Sequence, residues 1–273
     1  MSTTQLTVEK LATLKNNLIE NYTTSVENMI QSIINEPIMP TTLHNLILDS
    51  NIEKFKIMLE LNLADVNSVD KYKNTPLIIA IDRGKLEFVK LLIDAGAKIN
   101  IQNIYGNTAL HKACMGYKLD IVKILVDAGV DLNIINANGD TALLEAIGYN
   151  DEIIDIVKIL VDAGADLNIK NINGNTVLHR AARNNLINVV KMLLNAGADV
   201  NIKNHTNKKP SKMTTNKEIQ NLFKEKTNFA TKQYIDENNQ LKSEIIRLQQ
   251  QLTDAETKNL ALVTKIKQVL ITD

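Results

Sequence analysis

The sequence predicts an all-α solenoid of short helical hairpins, followed by one long C-terminal helix that forms a coiled coil. The first observation is a phrase that opens with threonine and recurs four times, at TPLIIA (75–80), TALHKA (108–113), TALLEA (141–146) and TVLHRA (176–181). The second is a matching stop that follows each phrase, at 94–100, 127–133, 162–168 and 195–201. The third is an apolar heptad pattern across 231–273, a stretch without glycine or proline.

The four threonine phrases start 33, 33 and 35 residues apart. A period of about 33 residues that opens with T-P-L-H-x-A is the signature of ankyrin repeats, and the chain resembles that family in two motifs that recur in register. The resemblance implies repeats built from a turn, two helices and a hairpin loop. One helix pair cannot bury its apolar face alone, so neighbouring repeats complete the core. The composition and regularity also resemble the ankyrin-repeat proteins of giant DNA viruses of amoebae.

The sequence divides into three predicted parts: an N-terminal helical segment (1–36), an ankyrin-repeat domain (37–223) and a coiled coil (224–273). The domain is predicted to comprise a degenerate first repeat (37–70), four clear repeats (71–103, 104–136, 137–171 and 172–204) and a degenerate C-terminal cap (205–223). The third clear repeat carries two additional residues within 148–157. This insertion is either a tolerated change in the turn between paired helices or a feature specific to a partner.

The segment 1–36 has leucine, isoleucine and valine at helical spacing and no glycine or proline. Three interpretations stay open: a helical cap on the first repeat, a separate partner-binding module such as an F-box-like adaptor, or a loosely ordered segment.

Within a repeat, each conspicuous residue has a structural role to fill. Thr108 is expected to cap the first helix and Gly129 to end the second. The asparagine that closes each repeat, such as Asn133, is expected to bond the backbone of its hairpin turn. In ankyrin proteins the histidine of the opening phrase bonds between repeats, and the resemblance implies this role for His44, His111 and His179.

Composition argues against several classes of function. The formal net charge is zero, so we expect neither a nucleic-acid nor a membrane partner. Cys114 is the sole cysteine, and the sequence has no cluster of ligands at the spacing a metal site requires. No phosphate-binding loop or nucleophile motif occurs. We therefore expect no cofactor, no metal and no enzymatic activity.

No apolar run reaches the ~18 residues of a membrane span, and the first residues lack the pattern of a signal peptide. We therefore expect an intracellular protein in the cytoplasm, with the nucleus left open, and in a host cell if the gene is viral.

The resemblance implies that a partner binds along the concave side, formed by hairpin tips and first helices. Aromatic and arginine side chains are the residue types most enriched at the energetic centres of interfaces. The predicted partner-binding residues are Tyr72, Tyr105, Tyr149, Arg180 and Arg183.

The C-terminal heptads favour a parallel two-stranded coiled coil, because Ile or Leu at a and Leu at d are interrupted by Asn at a. A T-x-x-E capping box at Thr215 and Glu218 is expected to start this helix. The predicted dimerisation residues are Leu241, Ile245, Leu248, Leu252, Asn259, Leu262 and Ile266. Two alternatives stay open: the helix folds back on the repeats, or its seam pairs with a different protein.

These features predict a protein-interaction scaffold. The repeat groove is expected to bind an unidentified protein, which would be a host protein if the gene is viral. The coiled coil is expected to form a homodimer. The alternative is an adaptor that recruits the bound host protein to ubiquitin or signalling machinery.

Overall fold

The structure, a computed structural model, describes residues 39–148 and 153–272. The chain divides into two compact units, Met1–Thr214 and Thr215–Asp273, each of which is described by itself. The described residues form helices and no strand; Ile135 and Thr141 make one isolated antiparallel bridge. The predicted all-α architecture, a helical solenoid followed by a long helix, is confirmed.

The described part of the first unit contains five helix pairs: α1 (Thr42–Leu48) with α2 (Ile52–Glu60), α3 (Pro76–Asp82) with α4 (Leu86–Asp94), α5 (Ala109–Met115) with α6 (Leu119–Asp127), α7 (Ala142–Ala146) with α8 (Ile154–Asp162), and α9 (Val177–Arg183) with α10 (Ile187–Asn195). First helices contact the first helices of neighbouring repeats, and second helices contact second helices. The pairs therefore stack side by side in chain order.

Threonine starts the first helix of each clear repeat. The Thr75 hydroxyl accepts a hydrogen bond from the N–H of Ile78 at 3.2 Å, which satisfies one of the free N–H groups at the helix start. In the second clear repeat, the N–H of Thr108 donates to Nδ1 of His111 at 3.3 Å, and the Thr108 hydroxyl lies 2.9 Å from the same nitrogen. The predicted cap at Thr108 is confirmed.

The core repeats with the sequence. The leucines at the third position of the threonine phrases are at most 1% exposed: Leu77, Leu110, Leu143 and Leu178. The alanines at the sixth position are fully buried, and their small side chains let neighbouring helices approach closely: Ala80, Ala113, Ala146 and Ala181. Between the first two helix pairs, the rings of Phe55 and Phe88 meet edge to face with centroids 4.8 Å apart. Each repeat thus buries its apolar side against a neighbour.

Histidines join successive repeats. Nε2 of His44, His111 and His179 lies 2.8–3.0 Å from a backbone carbonyl of the next repeat or the cap, at Asn74, Asp140 and Lys208 respectively. The inter-repeat role implied by the family resemblance is confirmed. Because Nδ1 of His111 accepts from a backbone N–H, its Nε2 must carry the proton and donate to the carbonyl. A neutral imidazole fits this arrangement.

The degenerate first repeat lacks the complete cap. Thr41 has ψ of 9°, whereas the cap residue Thr75 has ψ of 162°, and the Thr41 side chain makes no capping bond. Nδ1 of His44 is buried and has no hydrogen-bond partner among the described residues. The first repeat therefore lacks the threonine–histidine contact, although Thr41 and His44 keep the spacing of the phrase, and it preserves the bond to the next repeat.

The third clear repeat has a shortened first helix. Helix α7 has five residues, whereas the first helices of the other repeats have seven. Side chains from the next repeat bond carbonyls in this helix and just beyond it: Arg180 donates to Leu144 at 2.7 Å, and Nδ2 of Asn184 donates to Gly148 at 2.7 Å. The two additional residues of this repeat are predicted to lie within 148–157, and residues 149–152 of that stretch lie outside the described residues.

The second unit consists of helix α11 (Lys217–Thr272), whose 56 residues give a length of roughly 84 Å. Oδ1 of Asn216 accepts from the N–H groups of Glu218 and Ile219 at 2.9 and 3.3 Å. The predicted cap at Thr215 is therefore wrong by one residue, because the helix starts at Lys217 and Asn216 precedes it.

We expect the unfolding free energy to fall as the pH drops below about 6.5, the ordinary pKa of histidine. Burial lowers the pKa of His111 and His179, although the bonded carbonyls oppose the shift. Below the ordinary pKa, the unfolded chain takes up protons that the folded chain resists, and stability is lost. Urea unfolding followed by circular dichroism between about pH 7.5 and about pH 5 measures the dependence.

The control is the double variant His111→Leu/His179→Leu, because Leu144 occupies the same position in the third clear repeat. This variant should be less stable at neutral pH but lose less stability on acidification. An unchanged pH slope in the variant would contradict the assignment.

Candidate functional site

Five loop tips project from the first unit, one before each threonine phrase and one before the 3-10 turn at Pro210–Lys212. Each tip closes with a backbone hydrogen bond of 2.9–3.0 Å, as from the N–H of Asn103 to the carbonyl of Asn107. The side-chain oxygen of the first residue also accepts from the N–H groups two and four residues later, at 2.8–3.1 Å. These residues are Asp70, Asn103, Asn136, Asn171 and Asn204. Each tip is therefore fixed internally.

Backbone hydrogen bonds connect each tip to the next. The N–H of Ile104 donates to the carbonyl of Tyr72, and the N–H of Ala137 donates to the carbonyl of Tyr105, both at 3.0 Å. The same bond recurs at 3.0 Å between the last three tips, from Ile172 to Asn138 and from His205 to Asn173. The five tips form one continuous ladder.

Glycine permits this close approach. Gly106 has φ of +73°, and a Cβ placed on it would lie 2.7 Å from the backbone nitrogen of Ala137. Gly139 has φ of +70°, and a Cβ there would lie 2.9 Å from the nitrogen of Ile172. A side chain at either residue would both strain the turn and collide with the next tip.

Side-chain amides form a second ladder beneath the tips. Nδ2 of Asn103 donates to Oδ1 of Asn74 at 2.9 Å, and Nδ2 of Asn136 donates to Oδ1 of Asn107 at 3.0 Å. The donor asparagines are not among the residues predicted from the sequence to have a role. Asparagine recurs once per repeat, at 103, 136, 171 and 204, and this recurrence could have indicated a structural role for it.

A third ladder lies at the opposite end of the repeat, in the residues that follow each second helix. Oδ1 of Asn133 accepts from the N–H of Asp166 at 2.8 Å, and Asn67, Asn100 and Asn168 make equivalent bonds. The prediction that these asparagines bond their own turn is corrected: each bonds the backbone of the following repeat. They therefore add to stacking.

The two predicted tyrosines that the structure describes occupy adjacent tips. Tyr72 is 44% exposed and Tyr105 is 58% exposed, and Ile104 between them is 47% exposed. The Lys71 ammonium lies 4.9 Å from the centre of the Tyr72 ring. Because a backbone hydrogen bond joins Ile104 to Tyr72, the two tips that carry these exposed side chains are adjacent. Tyr149 lies outside the described residues.

The two predicted arginines differ in environment. The Arg180 guanidinium donates to the carbonyl of Leu144 and lies 3.4 Å from the Asp140 carboxylate, so it connects the third and fourth clear repeats. Arg183 is exposed, one turn further along α9. Both arginines line a cavity of about 190 Å³, together with the tips of these two repeats.

The predicted dimerisation residues lie on α11. Leu241, Ile245, Leu248, Leu252 and Leu262 are between 53% and 61% exposed in the single chain, and Asn259 is also exposed. The side chain of Ile266 is outside the described part of the structure. These five apolar side chains thus form an exposed seam along helix α11 in the single chain.

The described residues do not bring together the ligands of a metal centre. No group of three His, Cys, Asp or Glu side chains in 39–148 and 153–272 is placed to hold a metal ion. Cys114 is fully buried, and burial raises the pKa of its thiol far above the ordinary value, so it stays protonated. Within the same ranges, no helix is both long enough and apolar enough to cross a membrane.

Comparisons with known proteins agree with this geometry. Two family models match, "Ankyrin repeats (many copies)" over residues 58–113 and "Ankyrin repeats (3 copies)" over residues 110–204. Residues 58–204 consist of ankyrin repeats. The fold resembles the crystal structure of EF0377, an ankyrin repeat protein, with a TM-score of 0.62 and 29% sequence identity, over 69% of this chain and 97% of that chain.

A viral protein also carries a similar segment. Over 54 residues, the chain is 46% identical to the ankyrin repeat protein OPG189 of vaccinia virus, in both the Copenhagen and the Western Reserve strains. The match covers 20% of this chain and spans only 9% of the vaccinia protein. Ankyrin repeats generally mediate protein–protein interaction and are generally not enzymes, which agrees with a site formed by a surface.

Proposed function

We propose that the ankyrin repeats bind a segment of another protein across the loop tips and the adjacent first helices. The observation that carries the proposal is the exposure of Tyr72, Ile104 and Tyr105 on consecutive tips whose backbone groups are already bonded. A rigid surface loses little conformational entropy on binding, and tyrosine contributes a large contact area with few rotatable bonds. Arg183 extends this surface, and Arg180 helps to position the surface. A role for Tyr149 in partner binding stays a prediction.

The second part of the proposal is a parallel homodimer through α11, with the coiled coil at 224–273. The heptads place Ile245 and Leu252 at a and Leu241 and Leu248 at d. In parallel register, Glu237 at g faces Lys242 at e of the partner helix. A dimer would bury apolar side chains that the single chain exposes, and it would join two binding surfaces for avidity.

We propose on the same basis that the protein is a scaffold without enzymatic activity, nucleic-acid partner or membrane anchor, in the cytoplasm or nucleus of a host cell. The similarity to a vaccinia protein supports a viral gene, and a giant virus of amoebae remains our hypothesis for its source. The predicted division into 1–36, 37–223 and 224–273 leaves two segments outside the repeats. Either could serve the alternative role, recruitment of the bound host protein to ubiquitin or signalling machinery.

Tyr105→Ala should weaken binding to a captured partner by about tenfold to a hundredfold, the effect of removing an interface hot spot. The partner would be identified by quantitative affinity capture and its dissociation constant measured by calorimetry.

The matched control is Tyr117→Asn, which removes an exposed tyrosine outside the tips. Tyr117 has φ of +51°, and Asn185 occupies the equivalent position of the fourth clear repeat with φ of +57°, so asparagine fits there. Equal losses from both variants, or none from Tyr105→Ala, would count against the tip surface.

Ile245→Ala should raise the dissociation constant of the dimer roughly tenfold to a hundredfold, because each chain loses apolar burial at the seam. Sedimentation equilibrium measures the constant. Ile246→Ala is the control, since Ile246 is exposed but lies outside the a and d positions, and both changes alter helix propensity equally. A monomeric parent chain, or equal effects of the two variants, would contradict the coiled-coil dimer.

A further inference from the structure

The C-terminal end of the first unit is strongly basic although the whole chain has no net charge. Residues 172–214 contain seven basic residues and one acidic residue, a net charge of +6 within a chain whose formal charge is zero. The basic residues are Arg180, Arg183, Lys191, Lys203, Lys208, Lys209 and Lys212, and the acidic residue is Asp199. Charge in this chain is therefore segregated by repeat.

Substitutions within the repeat produce this segregation. In the second helix of the first clear repeat, Lys90 has acidic residues three before and four after it, Glu87 and Asp94. The same pattern surrounds Lys123 and Lys158 in the next two repeats. In the fourth repeat, the positions that flank the lysine are Asn188 and Asn195. Neutral residues therefore occupy both acidic positions in the fourth repeat, which contributes to its net positive charge.

The cavity of about 190 Å³ opens in this basic region. Its walls combine the tip amides of Asn138 and Asn173 with the apolar side chains of Leu144, Ile172 and Met213. Ile172 is 60% exposed at the tip of the fourth repeat. The cavity thus offers hydrogen-bonding groups and apolar contact next to the two arginines.

The two arginines do not contribute equally to binding. Arg180 faces the carboxylate of Asp140, whose side chain is only 7% exposed, and it also bonds the carbonyl of Leu144. Asp140 is satisfied in turn, because its other oxygen accepts from Nδ2 of Asn171 at 2.8 Å. Among the described residues, Arg183 makes no ion pair or hydrogen bond. Of the two arginines in the cavity wall, Arg183 is therefore the one whose guanidinium has no partner within 39–148 and 153–272.

We propose that this cavity binds an acidic side chain in an extended segment of the partner protein, with its carboxylate paired to Arg183 and an apolar neighbour against Ile172. The inference rests on the proposed function and adds the chemistry of the partner. Arginine pairs with a carboxylate through two parallel hydrogen bonds, which selects geometry as well as charge. The surrounding net charge would attract an acidic segment over a longer range.

The arrangement favours an acidic peptide over nucleic acid. Single-stranded nucleic acid is bound by aromatic side chains that stack on bases within a basic groove. Here the exposed tip tyrosines, Tyr72 and Tyr105, belong to the first two clear repeats, whereas the basic residues belong to the fourth repeat and the C-terminal cap. The cavity wall combines amides and aliphatic side chains with the two arginines, the Asp140 carboxylate and the His179 imidazole, and neither of these tyrosines lines it.

The test is to pan a phage-displayed library of random linear peptides on the full chain and to measure a selected peptide by fluorescence polarisation. We expect the selected peptides to share an Asp or Glu beside an apolar residue. Arg183→Gln should raise the dissociation constant of the peptide about tenfold, the effect of losing one charge-assisted pair. Lys191→Gln, which removes the same charge on the exposed face of α10, should change the affinity less than twofold.

Three results would overturn the inference: selected peptides without an acidic residue, equal weakening by Arg183→Gln and Lys191→Gln, or displacement of the peptide by an oligonucleotide at lower concentration than by unlabelled peptide. The proposed function fails separately. Selected peptides that lack acidic residues but lose affinity with Tyr105→Ala would support the tip surface while removing the acidic site.

Discussion

The backbone hydrogen bond between successive loop tips is the contact on which the functional surface depends. A single helix pair cannot bury its apolar face alone, so apolar packing between neighbouring pairs holds the repeats together. The loop tips lie outside this packing and are exposed to water. The bonds from Ile104 to Tyr72 and from Ala137 to Tyr105 fix the tips relative to one another. Glycine at 106 and 139 is required because the backbones approach too closely for a Cβ atom. Exposed side chains are thereby displayed at a spacing that the backbone sets.

Polar groups between repeats are paired in step with this ladder. His111 reaches the carbonyl of Asp140, Asn136 reaches Asn107, and Asn133 reaches the N–H of Asp166. His111 and Asn136 are buried, and a buried polar group without a partner costs free energy, so these two contacts favour one register of stacking over others. In the degenerate first repeat, His44 keeps its bond to the carbonyl of Asn74 in the next repeat. The contact that is missing there is the one within the repeat, between the histidine Nδ1 and the threonine.

Much of the fold could be predicted because the repeat makes the sequence its own comparison. Thr108 and its counterparts mark the helix starts, and the periodic leucines and alanines mark the core. The side-chain ladders were harder to foresee, since an asparagine in a turn has several backbone groups within reach. Only the stacked geometry shows that Asn133 selects the next repeat rather than its own turn. Likewise, only the stacked geometry shows that Arg180 donates to the Leu144 carbonyl of the preceding repeat and faces the Asp140 carboxylate.

The surface changes character along the stack, from tyrosine on the first clear repeats to arginine and asparagine on the last. If the tips move independently, this order has no meaning for a partner, so the claim that they form one rigid surface is central. Hydrogen exchange at the amides of Ile104, Ala137, Ile172 and His205, measured by NMR in the free protein, tests it most directly. Our account predicts protection of these exposed-loop amides comparable with that of helix α5. Exchange at the rate of an unstructured peptide would contradict it.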